Sequence, residues 1–284
     1  MKVLLHQSYY RTGGLDELFA LALENGCDGV EIHRLVRAYE PDEETYFRKA
    51  AEFKNTHPEM EIVFGLGAIK LSRGKPDEVA DEIDIRIKFM EWAARECGTK
   101  VMNFYSDAIS GGNEPHTNGS AQATESDYEK NAIHLRTLGD AAASHGALLV
   151  IETHHGYLHD IPVAGRKLLD LVQHDAVGIN YDAGNIFLNK NGGSIADAFH
   201  IIGDKIYYAH LKNLLKMPNS HMVITRLEEG HVNQMEVMAG LKTHLRSGML
   251  AIEYPCSGDG TIAAHRDMEY IRFMKKRLGI EAKE

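Results

Sequence analysis

The sequence predicts one (β/α)8 barrel domain over residues 1–284. Three observations support this fold class: eight short apolar runs, segments of helical period between them, and run ends about 35 residues apart, the length of one strand–helix unit. The runs are almost continuously apolar, which is typical of parallel strands covered by helices. A doubly wound open sheet would be favoured by a GxGxxG turn after the first run, and "HQSYYRTGG" lacks that pattern.

The eight apolar runs are predicted as the barrel strands. Each is too short for a helix of typical length and is rich in Val, Ile, Leu and aromatic residues, which favours extended structure. In chain order they occupy residues 2–6, 29–33, 61–68, 100–105, 147–152, 176–182, 205–212 and 248–254.

Segments between the runs carry apolar residues at helical spacing. The longest predicted helix, 75–97, has Pro76 near its start and Gly98 after its end, which are common helix boundaries. Ser126 and Glu129 have the spacing of a capping box and predict a helix start there. The predicted helices are 14–26, 75–97, 126–146, 162–173, 194–202, 233–246 and 265–278. Two long polar loops, 106–125 and 213–232, are expected to shape or cover a site.

Composition narrows the possible partners and location. The chain has 31 basic and 41 acidic residues, a net charge of −10, which argues against general binding to nucleic acid or an anionic membrane. Cys27, Cys97 and Cys256 form no CxxC pair, and so few cysteines suit a reducing compartment. The apolar stretch at the N-terminus is too short for a signal peptide, and no window is long enough to span a membrane. We therefore expect a cytoplasmic protein.

Four potential ligands end consecutive predicted strands. Glu152, Asp182, His210 and Glu253 each follow the apolar part of a run. In a barrel the carboxyl ends of all strands face one mouth, where active sites are built. The pattern thus predicts three carboxylates and one imidazole aimed at one point.

Three neighbouring carboxylates repel one another unless a positive charge compensates them. A divalent cation is the simplest compensation, and three oxygen ligands with one nitrogen suit Mn²⁺, Co²⁺ or Mg²⁺ better than a structural Zn²⁺. In the alternative interpretation these residues are polar strand ends that cap the following helices. Their occurrence in four successive units favours the metal.

Other polar residues at the predicted mouth have weaker patterns. His6 and His33 end the first two strands and either bind substrate hydroxyls or are structural. Glu31 points either into the barrel or toward the helices. Lys212 either holds a substrate oxygen or balances the carboxylates. His155 is expected to be a loop residue rather than a ligand.

The segments "VIETHHG", "VGINYDAGN", "IYYAHLKN" and "MLAIEYP" together resemble the xylose isomerase-like TIM barrel superfamily. This group includes sugar phosphate isomerases and epimerases, with tagatose 3-epimerase, hydroxypyruvate isomerase, inosose dehydratase and endonuclease IV relatives. The resemblance covers the whole chain. It implies one bound divalent ion, Mn²⁺ ahead of Co²⁺, Mg²⁺, Zn²⁺ or Fe²⁺.

Residue by residue, the resemblance makes the four strand-end residues metal ligands and makes Glu152 and Glu253 an acid/base pair. It places His154 near the substrate, and Asn185 where epimerase-like members carry His and many others carry Asn. Asn213 departs from the Asp that usually follows "HLK", which puts the support of Lys212 in doubt.

The resemblance implies a metal-dependent isomerase or epimerase that acts on a sugar or related polyhydroxy carbonyl compound through an enediolate. The alternative is a metal-dependent lyase or dehydratase of the inosose dehydratase type. An endonuclease IV-like DNA repair enzyme is disfavoured by the acidic net charge, and a non-catalytic sugar-binding barrel by the retention of all four ligands. The expected partner is a small carbohydrate, and a homodimer or homotetramer is plausible for the family.

Overall fold

The computed structural model describes residues 1–10, 14–33, 42–217, 222–254 and 259–280. In this part of the chain eight parallel strands close into a barrel, and two others form a separate antiparallel hairpin. The strands are β1 (Lys2–His6), β2 (Gly29–His33), β3 (Glu61–Ala68), β4 (Val101–Tyr105), β5 (Leu148–Glu152), β6 (Val177–Asp182), β7 (Ile206–Leu211), β8 (Asn213–Lys216), β9 (Met222–Thr225) and β10 (Met249–Ile252). The barrel order is β1-β10-β7-β6-β5-β4-β3-β2, with β8 and β9 as the hairpin. The predicted (β/α)8 fold is confirmed.

Helices surround the barrel and cover its outer face. They are α1 (Leu15–Glu24), α2 (Glu43–Thr56), α3 (Pro76–Cys97), α4 (Glu125–Ser144), α5 (Pro162–Val172), α6 (Ala183–Leu188), α7 (Ile195–Ile202), α8 (Gln234–His244) and α9 (Gly260–Leu278). Two of them, α2 and α6, were not predicted from the sequence. Only Tyr46, Ala50 and Phe53 of α2 are fully buried, in a segment rich in charged residues, and α6 has only six residues, too few to reveal a period.

The predicted cap of α4 was wrong by two residues. The residue before the helix is Thr124, whose hydroxyl accepts the backbone N–H of Asp127, while the Asp127 carboxylate accepts the backbone N–H of Thr124. This reciprocal pair is the capping box, in place of Ser126 and Glu129. The box is not evident from the sequence, because its third helical position is an aspartate and the usual box carries Glu or Gln there.

Alternate residues along each strand point into the barrel. A small apolar cluster fills the barrel interior at the end away from the mouth. The remaining core lies between the strands and the helices. The interior cluster consists of Leu4, Val63, Val101, Val150, Tyr207, Tyr208, Met249 and Ala251. Because side chains repeat every two residues, the next inward positions toward the mouth include His6, Asn103, Glu152, His210 and Glu253. The apolar layer therefore supports a polar layer at the mouth.

Cys27 and Cys97 are buried free thiols, and burial raises the pKa of each to about 12. Both are thus inert apolar fillers in the core. Cys256 lies outside the described residues. Across the described part of the chain, none of the helices has the length and apolar character needed to cross a membrane.

Candidate metal centre at the barrel mouth

The structure brings together the four strand-end residues that the sequence singled out. Glu152 ends β5, Asp182 ends β6, His210 is the penultimate residue of β7, and Glu253 directly follows β10. One ligand atom from each of the four lies within 4.8 Å of those from the others. The strands that carry them are neighbours in the barrel, so adjacency in the sheet produces the cluster.

The donor set has the character of a cation site. Glu152, Asp182 and His210 are at most 1% exposed, and the side chain of Glu253 is 13% exposed. His210 Nδ1 lies 3.3 Å from Glu152 Oε2 and 3.4 Å from Glu253 Oε2 but makes no hydrogen bond. Buried polar atoms are rarely left without a partner. The residues therefore fit a divalent ion, which Nδ1 and the three carboxylates would hold.

Glu31 fixes the orientation of the His210 ring from inside the barrel. Its carboxylate is fully buried inside the barrel and accepts His210 Nε2–H at 2.7 Å and the Tyr208 hydroxyl at 2.9 Å. With the proton on Nε2, the neutral ring has its lone pair on Nδ1, toward the other carboxylates. A carboxylate behind a ligating histidine is the usual second layer of a metal site. Of the two orientations left open by the sequence, Glu31 therefore has the one that points into the barrel.

Electrostatics in the metal-free cluster follow from burial and from two cations, Lys212 and a protonated His210, whose pKa the carboxylates of Glu31 and Glu152 raise well above its ordinary value although burial opposes this. Burial opposes ionisation of Glu31 and Glu152, yet His210 beside them lowers the pKa of each below its ordinary value. Burial also opposes the charge of Glu253, whose pKa is nevertheless held well below its ordinary value by Lys212 and His210. The pKa of Asp182 is instead raised, mainly by burial. All three glutamates are therefore ionised in the folded protein.

Lys212 lies among the carboxylates. Its ammonium is 2.8 Å from Asp182 Oδ2 and 2.9 Å from Glu253 Oε2, and the side chain is only 4% exposed. Although burial opposes the charge, these carboxylates raise its pKa far above its ordinary value, so Lys212 stays protonated. The structure thus places Lys212 where it balances negative charge.

Glu152 is held by a ring of donors. Tyr105 donates its hydroxyl to Oε2 at 2.5 Å, Asn103 donates to the same oxygen at 3.0 Å, and Asn185 donates to Oε1 at 3.0 Å. Tyr105 and Asn103 were not singled out in the sequence. The available signal was Asn103, a polar residue within an otherwise apolar strand.

Asn185 also organises Asp182. It lies in the first turn of α6, where its backbone N–H is accepted by Asp182 Oδ1 at 2.9 Å and its amide donates to Asp182 Oδ2 at 2.8 Å. Asp182 is therefore both the cap of α6 and a member of the cluster. For this residue, capping of α6 is confirmed and is compatible with the ligand interpretation.

His154 and His155 lie on the loop after β5. Their rings stack with centroids 4.3 Å apart, and the His154 ring packs edge-on against Tyr105 at 5.7 Å. His154 therefore packs against the residue, Tyr105, whose hydroxyl donates to Glu152. His155 borders a cavity of about 280 Å³ whose other walls come from Leu188 of α6 and from both long loops, including Asn113, Lys216 and Met222. The expectation that these loops shape a site agrees with this placement.

His6 and His33 lie on the opposite side of the mouth. His6 Nε2 is 3.0 Å from His33 Nε2, and the His6 ring centroid is 5.4 Å from that of His210. Burial lowers the pKa of His6 to about 4, so its ring is neutral near pH 7. Both side chains thus border the cluster without belonging to it.

Asn213 supports the fold rather than Lys212. Its amide donates to the carbonyls of Leu227 and Val232, and its oxygen accepts the Val232 N–H at 2.9 Å. A Cβ at Gly230 would lie 2.0 Å from that oxygen, which explains the glycine in the turn at residues 228–230. Asn213 therefore fastens this turn to β8 through neutral hydrogen bonds.

Solved structures with this fold include a probable dehydratase, a zinc-binding protein and an epimerase. The probable 3-DHS dehydratase AsbF from Bacillus anthracis is 19% identical with a TM-score of 0.74, over 96% of this chain and 99% of that one. The IolI protein with a bound zinc atom is 16% identical with a TM-score of 0.76, over the full length of both chains. An L-ribulose 3-epimerase is 14% identical with a TM-score of 0.76, over 100% of this chain and 99% of that one. At these identities the likeness shows a shared fold. Among curated proteins there is no match.

A family model described as xylose isomerase-like TIM barrel matches residues 19–276, nearly the whole chain. The matched region contains all four strand-end residues and the eight-stranded barrel apart from β1. The chain therefore belongs to the xylose isomerase-like TIM barrel family.

Proposed function

We propose that this protein is a divalent-metal-dependent isomerase or epimerase of a sugar or related polyhydroxy carbonyl compound. The observation that carries the proposal is the cluster of Glu152, Asp182, His210 and Glu253, with a buried His210 Nδ1 that has no hydrogen-bond partner. Solved structures with this fold include an L-ribulose 3-epimerase and a D-allulose 3-epimerase. Mn²⁺ is the first metal to test, and the zinc in IolI makes Zn²⁺ the second.

In this proposal, Glu152 and Glu253 remove a proton from a substrate carbon and return one, to the same carbon in epimerisation or to its neighbour in isomerisation. Removing a C–H proton beside a carbonyl creates an enediolate, and a bound divalent ion would stabilise its charge as a Lewis acid. Tyr105, Asn103 and Asn185 orient the Glu152 carboxylate, and Lys212 orients that of Glu253. Two carboxylates on opposite faces of the substrate give epimerisation, whereas one carboxylate that shuttles the proton on one face gives isomerisation.

His154, Asn185, Lys212, His6 and His33 are proposed to contact the substrate. Asn185 and Lys212 are already in hydrogen-bond contact with the carboxylates that would bracket it. A cytoplasmic location and a homodimer or homotetramer stay predictions.

The decisive experiment combines metal content with hydrogen exchange. Purified wild type is expected to contain about one equivalent of metal by mass spectrometry. Asp182→Asn, which keeps an oxygen to cap α6, should lose most of it. In D₂O, NMR with D-allulose, D-tagatose and L-ribulose should show deuterium entering beside the carbonyl. Loss of water from the substrate would instead identify a dehydratase. A wild type that binds no added metal and exchanges no hydrogen would refute the proposal.

A further inference from the structure

A second polar cluster lies beside the proposed metal centre and consists of His6, Glu31 and His33. One donor atom from each lies within 4.8 Å of the others, so residue types alone would allow a second metal ion. His6 is 5% exposed, and Glu31 connects this cluster to His210 through the bond to its Nε2. The hydrogen bonds of His6 decide between a ligand and another role.

The hydrogen bonds that hold His6 at Nδ1 leave the proton of the ring on Nε2. The backbone N–H of Ser8 donates to His6 Nδ1 at 3.1 Å, and an N–H can only donate. Ser8 Oγ lies 2.8 Å from the same nitrogen and accepts the N–H of Tyr254 at 3.0 Å, so its own hydrogen is left for Nδ1. A neutral ring whose Nδ1 is an acceptor carries its proton on Nε2. His6 Nε2 then has no lone pair for a metal.

His33 accepts the hydrogen bond that His6 Nε2–H donates. The two Nε2 atoms are 3.0 Å apart, so His33 Nε2 is the acceptor. The His33 ring lies against Gly65, so that a Cβ at position 65 would come within 2.8 Å of the ring carbon Cδ2. The backbone carbonyl of His33 accepts the Tyr46 hydroxyl at 2.5 Å. A side chain at position 65 would displace the ring. The pair is thus built with a fixed direction, from His6 as donor to His33 as acceptor.

We propose that His6 is a fixed, neutral hydrogen-bond donor to the substrate oxygen that gains negative charge, and that His33 accepts this bond when no substrate is present. This inference rests on the proposed function. The chain segment that carries Glu253 is tied to Ser8 through the Tyr254 N–H, so the proposed base and the support of His6 share one hydrogen-bond chain. No proton leaves His6, because Glu152 and Glu253 carry the transferred proton. Removing one such donor lowers turnover by roughly 10²–10³-fold in enzymes that stabilise an oxyanion.

The test uses the full-length protein loaded with Zn²⁺ and a ketose that wild type converts. His6→Leu is expected to lower kcat by roughly 10²–10³-fold, with one metal equivalent retained. His6→Gln should restore part of the loss, because its amide can donate from a similar place. His174→Leu, before β6 and thus at the opposite end of the barrel, is the matched control and should keep wild-type kcat. Unchanged kcat in His6→Leu would overturn the role of His6.

A second measurement does not depend on whether the variants fold. NMR of ¹⁵N-histidine-labelled wild type, loaded with Zn²⁺, should show His6 with its proton on Nε2. A proton on Nδ1 would overturn the inference. So would two metal equivalents in wild type that fall to one in His6→Leu, because that result makes the cluster a second metal site. A wild type without metal or ketose exchange refutes the proposed function, and the role of His6 with it.

Discussion

At the residue scale, the cluster shows how one side chain serves fold and chemistry together. Asp182 caps α6 through Oδ1 while Oδ2 faces Lys212 and Asn185. Glu152 ends a strand, yet it is held by three neutral donors from two other elements. Such support is needed because a catalytic carboxylate must stay within a narrow range of positions.

The glutamates give the first prediction. Glu152→Gln and Glu253→Gln should each lower kcat by about 10²–10⁴-fold under saturating metal, because an amide cannot take the substrate proton. Both variants keep the size of the side chain, so circular dichroism should remain that of wild type. The measurement is deuterium incorporation into the ketose that wild type converts. Wild-type rates in either folded variant would contradict the acid/base assignment.

At the element scale, the true cap of α4 is distinguished from the one expected from the sequence. Thr124→Ala should lower the free energy of unfolding by about 1 kcal/mol, because it removes the hydroxyl that accepts the Asp127 N–H and donates to the Asp127 carboxylate. Ser126→Ala is the matched control, since Ser126 is an exposed residue in the first turn, and should change stability by less than about 0.5 kcal/mol. Urea unfolding of the two variants measures both values. Equal losses would argue against the assigned cap.

Asp267 on α9 connects three elements and makes stability depend on pH. Its carboxylate is 1% exposed, accepts the Tyr9 hydroxyl, and accepts the Leu227 N–H at 2.7 Å. Burial raises its pKa from 3.8 to about 7, against the effect of these two donors. Between those values the folded protein holds a proton that the unfolded chain releases. Asp267 therefore makes the protein less stable as the pH rises toward 7, by up to ~1.4 kcal/mol per pH unit.

Asp267→Asn should remove this dependence. Relative to wild type, the variant should gain stability steadily from pH 5 to about 7 and change little above that, because both states of wild type are then ionised at this position. Urea unfolding at several pH values measures the difference. Asp170→Asn, an exposed carboxylate on α5, is the control. A difference between Asp267→Asn and wild type that is constant over this range would contradict the prediction.

At the scale of the whole molecule, the barrel and its mouth were predictable because strand ends carry a simple signal. An apolar run that stops at Glu152 or Asp182 indicates both the end of the strand and a side chain at the mouth. The residues that hold the four strand-end side chains in place were harder to predict from the sequence. Glu31 lies inside an apolar run, and whether it faces the barrel depends on strand register, which a one-residue slip reverses. Tyr105 resembles an ordinary apolar strand residue until its hydroxyl is located beside Glu152.

The whole barrel should respond to the metal. The four ligands come from β5, β6, β7 and the end of β10, which are adjacent in the sheet, so a bound ion would link half of the barrel strands. A ligand that binds only the folded state at 100 times its Kd stabilises it by about 2.7 kcal/mol. For a chain of this size the melting temperature should rise by roughly 5 °C.

This last prediction is tested by thermal unfolding of chelator-treated protein with and without added Mn²⁺. Wild type should gain the expected few degrees, and the gain should increase with metal concentration, as linkage requires. Asp182→Asn should gain little, because it lacks one charged ligand but keeps the cap of α6. An equal gain in wild type and variant would place the stabilising ion elsewhere on the molecule. No gain in wild type at any concentration would leave Lys212 and a protonated His210 as the groups that balance the carboxylates in the working protein.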